Sequence, residues 1–300
     1  MVGYYKYISE LGIENDINMD TIKSDKDVYN YFHKEIRNDC KNINVSDIDF
    51  TPIYQNDLLK NFDYIKEIIE KKIKNNLTIK EVKTTTILKN NKRLEELQKL
   101  FGLPKFECSQ EYILVPASDF GVFSLYEDTN FKKEQLPTTV YEFAKCYRIE
   151  DKKQDPLRRP TSFNLPDIHC FINDKVYEEV QKHLVVYGEI LRILEIPYFI
   201  SLRITEKEYK EKKEVLNNIA KELHKDIIVN IVPSSIKYWE SKFKYIYKNS
   251  NNEFIQLSTV QVDYTTSGIF NIKMEGKNIR VIHSSIGSME RVLYSYLDKN

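Results

Sequence analysis

The stretch EFAKCYRIEDKKQDPLRRPTSFNLPDIHCF, residues 142–171, sets a dense run of charge between two segments that read as buried β-strands. Charge on strands that face inward is costly unless a partner of opposite sign fills the space. The run holds an arginine, a glutamate, a cluster of basic residues and then a histidine on two adjoining strands instead of on a solvated helix. A ligand is the natural occupant of that space.

Working outward, residues 56–110 begin with an amphipathic helix, because Leu58, Phe62, Ile65, Ile69 and Ile73 recur at three- and four-residue steps. A short strand follows near IKEV. Beyond residue 110 the pattern is strand-rich. EYILVP, TTVYEFAKCYRIE and SFNLPDIHCF lead into two helices around YFISLRI, then a meander of IIVNIV, KYIYK, EFIQLSTVQVDY, GIFNIKM and IRVIHS. The chain closes on the helical pattern SMERVLYSYLDK. Sequence-neighbouring strands favour an antiparallel sheet flanked by helices, so the fold class is α+β. The first 55 residues differ in kind: one helical stretch (Val28, Tyr31, Phe32 and Ile36 on one side) lies between polar loops, which reads as an extension or small subdomain, 1–55, ahead of a main domain, 56–300.

Composition narrows the function. The 300 residues carry 45 basic and 45 acidic side chains, so no global field draws the protein to DNA or to an anionic membrane. Any polyanion must be held locally. Cys40, Cys108, Cys146 and Cys170 are scattered without a CxxC pair, as in a cytoplasmic protein with reduced thiols. No apolar run approaches the roughly 18 residues of a membrane span.

YRIE at 147–150, the basic loop to Arg159 and the strand FNLPDIHCF together resemble motif 2 of the class II aminoacyl-tRNA synthetases. GSMERVLYSYL at 287–297 resembles motif 3, and QLSTVQVDY before it is similar to the matching segment of the threonyl enzymes. The likeness covers roughly residues 57–300. It implies an ATP- and Mg2+-dependent ligase that forms an aminoacyl-adenylate from a small, polar, threonine-like amino acid. The activated group would pass to a tRNA acceptor end, a carrier protein or a small molecule. In that chemistry a carboxylate attacks the α-phosphate, so fixed cations must offset the accumulating negative charge. By the resemblance, Arg148 holds the α-phosphate, Glu150 accepts from the adenine amino group, and Arg291 lies over the adenine and reaches the γ-phosphate. Arginine suits these tasks through bidentate contact, stacking and permanent charge. Arg159, with Lys152, Lys153 and Arg158, belongs to a loop that closes on pyrophosphate or an RNA end. Glu290 or Asp263 would position phosphate-bound metal or the arginines. Taken singly, Arg148 and Glu150 read more readily as a cross-strand ion pair; spacing, order and strand context together favour the ATP reading.

For the amino acid, the resemblance implies that Asp167 takes the α-amino group while Gln256, Thr259 and Gln261 line the pocket, the first two shared with ATP. Trp239, beside Tyr238, would wall it. The threonyl enzymes hold zinc through one cysteine and two histidines. The histidine positions fall on His169 and His283, but Asp119 stands at the cysteine position in LVPASD. Two imidazoles and a carboxylate still make a competent, harder site for zinc. The alternative is a pair of hydrogen-bonded histidines with no metal.

Other departures are visible. The His283 to Arg291 interval is one residue shorter than the family's usual spacing, and Thr85 replaces the proline that ends motif 1. The apolar stripe of the helix before it suggests a surface for a homodimer partner. No anticodon-binding domain follows Arg291. A catalytically altered paralogue that senses an amino acid or partners another protein, and a fragment working with separately encoded tRNA-binding domains, are therefore kept as alternatives to the enzyme.

Overall fold

The computed structural model describes residues 4–16, 24–32, 57–103, 106–109, 111–149, 157–233 and 238–299. At its centre is a ten-stranded sheet. Its middle strands run, in spatial order, Phe199–Thr205, Trp239–Lys248, Phe254–Asp263, Arg280–Ser285, Ser162–Ile172 and Thr138–Tyr147, each antiparallel to its neighbours. The fold is thus α+β with a helix-flanked sheet, antiparallel through its middle and mixed at its edges.

Two edge features depart from a simple meander. Ile227–Val232 lies parallel to Phe199–Thr205, because the helix Glu206–Leu223 carries the chain back across the sheet between them. GIFNIKM does not join the large sheet. Thr266–Ile269 is a helical turn, and Lys273–Met274 pairs with Asn130–Phe131 and Lys277–Asn278 in a separate three-stranded sheet. The Asp263 carboxylate, which accepts from the amides of Thr265 and Thr266, fixes that turn.

Of the first 55 residues, Tyr4–Ile8 pairs antiparallel with Ile227–Val232 and extends the large sheet, with Glu14–Asp16 outside it. The helix Asp25–Phe32 is tied to the sheet by Asp25, whose carboxylate takes hydrogen bonds from Arg203 Nη2 at 2.5 Å and Asn230 Nδ2 at 3.0 Å. Ile36 of the expected apolar side lies outside the described residues, as does Cys40.

The strands are two-faced, as their alternation requires. Ile168, Cys170, Ile172, Leu202, Phe243, Tyr245 and Ile282 face the helices Asp57–Asn76, Val176–Ile193, Glu206–Leu223 and Met289–Asp298 and make the main core. The stripe of Asp57–Asn76 (Phe62, Ile65, Ile69 and Ile73) is buried in this same core, against Val176–Ile193 and Met289–Asp298. It is covered within the chain and makes no case for a partner. On the opposite face, Val140, Phe171 and Val281 anchor a second core with Leu94, Leu97, Phe120 and Phe123. The rest of that face is an open cleft.

No helix among the described residues is long and apolar enough to cross a membrane. Cys108, Cys146 and Cys170 are free thiols.

Candidate active site

The cleft is floored by the side chains that alternate away from the helical core. Strand register places Gln261, His283 and His169 in one row, and Thr259, Ser285, Asp167 and Glu142 in the next. A shift in register opposite Lys244–Ile246 reverses the alternation of Phe254–Asp263. Gln256 and Thr259 therefore both face the cleft, with Gln256 Nε2 donating to Thr259 Oγ1 at 2.7 Å. Arg148, Arg159, Asp119, Asp167, Gln256, Thr259, Gln261, His283 and Arg291, drawn from well-separated parts of the sequence, all line this one space. Glu150, Lys152 and Lys153 lie outside the described residues.

At one end stand the arginines. Arg148 continues the pairing of its strand through its amide to Thr161, while its Nε donates to the Pro116 carbonyl at 2.7 Å and its guanidinium lies 5.0 Å from the Phe163 ring centroid. The Arg148 guanidinium is thus oriented by a carbonyl dipole. Arg291 projects from the first turn of Met289–Asp298, whose N-cap is Ser288. Its guanidinium donates to the Arg158 carbonyl at 3.2 and 3.1 Å and to the Gln256 carbonyl at 3.1 Å. Gly287 before the cap has φ 101°, and a Cβ there would stand 2.4 Å from the Leu257 carbonyl oxygen, so the turn needs glycine.

Glu290 is engaged with the strand Ser162–Ile172. Its buried carboxyl accepts from Asn164 N at 3.0 Å and Asn164 Nδ2 at 2.8 Å, and burial raises its pKa. It clamps the strand after the basic loop to the helix carrying Arg291. Asp263 faces a histidine.

At the other end lie the acids and histidines. His283 Nδ1 is 2.7 Å from Asp119 Oδ1, and its Nε2 is 3.0 Å from Asp263 Oδ2. His169 Nε2 is 3.2 Å from the same Asp119 oxygen. Burial would lift Asp119, but His169 and His283 hold its carboxyl well below the usual carboxylate range. Burial would lower His283, but its hydrogen bonds to Asp119 and Asp263 outweigh that and raise it to about 10. Asp167 is pushed up to about 6 by burial, against the pull of His169.

Asp119, His169 and His283 each offer a ligand atom within 4.8 Å of the others. The test of fit is His169. It is 1 % exposed, and neither ring nitrogen makes an aligned hydrogen bond; the approach to Asp119 is close enough for an ion pair but poorly directed. A buried imidazole without partners costs free energy that a cation among these three donors would recover. The residues fit a divalent metal of borderline hardness such as zinc.

Sequence reading missed a residue and misplaced another. Ser118 Oγ donates to Asp167 Oδ2. The short run 116–119 thus orients Arg148 through Pro116, Asp167 through Ser118 and both histidines through Asp119. Only Asp119 of this run stood out in the sequence; the sequence does not show that Pro116, Ser118 and Asp119 serve four partners between them. Trp239, expected to wall the pocket, is 4 % exposed and is not among the residues that line the cleft. It occupies a strand position next to a register shift, and Tyr238 before it faces the cleft instead, its OH accepting from Gln261 Nε2 at 3.1 Å. Tyr238 stacks on Phe101 at 4.8 Å, and Phe101 meets the His283 ring edge-on at 6.2 Å. Gln261 Oε1 is buried without a hydrogen-bond partner. Lys242 also lines the cleft.

The chain is similar to known proteins of one family. Residues 105–300 match the family model described as tRNA synthetase class II core domain (G, H, P, S and T). The threonine–tRNA ligase of Methanopyrus kandleri is 30% identical over 197 residues, 61% of this chain and 32% of that protein. The threonine–tRNA ligase of Pyrobaculum islandicum is 31% identical over 217 residues, 68% of this chain and 36% of that one. The chain spans about a third of the length of these relatives. A crystal structure of the RNA binding domain of threonyl-tRNA synthetase from Cryptosporidium parvum Iowa II shares the fold, with a TM-score of 0.67 at 20% identity over 85% of this chain and 68% of that chain.

Proposed function

This chain belongs to the class II tRNA synthetase core family (G, H, P, S and T), and from that premise we propose that it activates a small polar amino acid with ATP·Mg2+ to the aminoacyl-adenylate. The observation that carries the reading is the meeting of Arg148 and Arg291, 143 positions apart by 291 minus 148, in one cleft with Asp167 between the arginines and the histidines. ATP lies across the sheet with its α-phosphate at Arg148 and its γ-phosphate and adenine at Arg291; Glu150 serves the adenine amino group. The amino acid's ammonium group binds the Asp167 carboxylate, and its side chain is read by Gln261 and Tyr238.

Each residue does elementary work in this scheme. Guanidinium charge fixed in advance offsets the negative charge that grows on the α-phosphate as the carboxylate attacks, so no reorganisation is needed at that moment. Asp167, held by Ser118, orients the amino acid and brings its carboxylate to the phosphate. Phe101, Leu103 and Tyr238 shield the histidine end from water. Zinc, where bound by Asp119, His169 and His283, supplies a Lewis-acidic contact for the amino acid. The acceptor is a tRNA end; a carrier protein or small molecule is the variant of this reading.

A homodimer rests on the family likeness alone, since the stripe that suggested it is satisfied within the chain, and sedimentation decides it. Threonine-dependent exchange of labelled pyrophosphate into ATP tests the activity, with the other amino acids and β-hydroxy analogues screened alongside. Exchange that depends on one amino acid supports it. No exchange with any of them, together with ATP binding, moves the protein to the regulatory alternative.

A further inference from the structure

Asp263 sits at the end of its strand, 1 % exposed, with its carboxylate turned to His283. Its surroundings are unusually complete. Oδ1 accepts from Thr265 N at 2.6 Å and Thr266 N at 3.0 Å, Oδ2 accepts from Thr266 Oγ1, and Oδ2 also faces His283 Nε2 at 3.0 Å. A carboxylate with this many donors is an immobile anion. The imidazole it faces has its other nitrogen turned to Asp119.

We propose that Asp263 is a positioning residue for the metal site: by accepting the His283 Nε2–H, it fixes the ring so that Nδ1 presents its lone pair beside Asp119. The inference rests on the metal reading above and deepens it. A neutral imidazole offers one lone pair, and the hydrogen bond on the far nitrogen decides which nitrogen that is. With Nε2–H spoken for, only Nδ1 remains for a cation. Because the carboxylate is anchored by the turn Thr265–Thr266, it cannot follow the ring, and any swing of the ring breaks this hydrogen bond.

Asp263 also caps the turn, so the test must separate fixing a ring from fixing a backbone. Asp263→Asn keeps an oxygen for the Thr265 and Thr266 amides but places an NH2 donor against Nε2, which moves the ring proton to Nδ1 and into the metal position. Thr266→Val disturbs the same turn and leaves the carboxylate in place. Zinc affinity of the full chain is measured by competition with a chromophoric chelator, beside thermal melting. The expected result is zinc binding weakened roughly 10- to 100-fold in Asp263→Asn, with melting near wild type and Thr266→Val close to wild type in affinity. Wild-type zinc binding with an unchanged Asp263→Asn overturns this inference alone. Wild type that takes up no zinc overturns the metal reading itself, and this inference with it. If Asp263→Asn melts early, solvent exchange of the His283 ring N–H in the zinc-loaded wild type decides: a slowly exchanging Nε2–H supports the role, and a freely exchanging one overturns it.

Discussion

The two ends of the cleft hold their charged side chains by opposite means. Arg148 and Arg291 are oriented by the carbonyls of Pro116, Arg158 and Gln256. His169 and His283 are flanked by the carboxylates of Asp119 and Asp263. A carbonyl orients a cation while leaving its charge intact, whereas a carboxylate cancels it. One end is thus prepared for an anion, and the other, rich in buried acid, for a cation: a metal ion or an ammonium group. A zwitterionic amino acid bound between them would point its carboxylate toward the arginines and its ammonium toward Asp167.

Removing a guanidinium breaks the contrast most severely. Arg148→Ala and Arg291→Ala are each expected to slow pyrophosphate exchange by an amount equivalent to about 3 kcal/mol, with melting little changed, as initial rates at saturating ATP will show. At the acidic end, Asp119→Ala removes a direct ligand, and its loss of zinc affinity should exceed the roughly 10- to 100-fold typical of outer partners. Elemental analysis after dialysis reads this. Asp167→Asn should raise KM for the amino acid far more than KM for ATP, and a matched rise in both would show that the two ends are not separate. Gly287→Ala tests the joint between strand and arginine helix: a positive φ and a collision with the Leu257 carbonyl should cost about 1–3 kcal/mol of stability. The smallest effect is expected from Glu290→Gln, which keeps the shape of the Asn164 clamp and loses about 1 kcal/mol as its charge goes, seen as a modest fall in melting temperature.

The contrast also explains what the sequence could disclose. The resemblance to the threonyl enzymes singled out Asp167, His169 and His283, and strand register brings them together, since residues two apart share a face and paired strands align their faces. The helix Asp57–Asn76 was equally readable from its stripe, but not what would cover it, since an apolar face looks the same whether its partner is another chain or its own C-terminal helix. Trp239 and Tyr238 were legible as an aromatic pair, yet a register shift decided which of them faces the cleft, and such shifts leave no mark in composition. Ser118 escaped notice because its role depends on a contact with Asp167, 49 residues away. Asp263 was expected to position phosphate-bound metal or the arginines; the turn after it holds the carboxylate against a histidine.

The central claim is that two guanidinium groups converge on one triphosphate in this cleft, and calorimetric titration with ATP·Mg2+ tests it most directly. Wild type should bind, with Arg148→Ala and Arg291→Ala each weaker by ten-fold or more, about 1.4 kcal/mol. Wild type that does not bind, or two variants that bind as tightly as wild type, would contradict it.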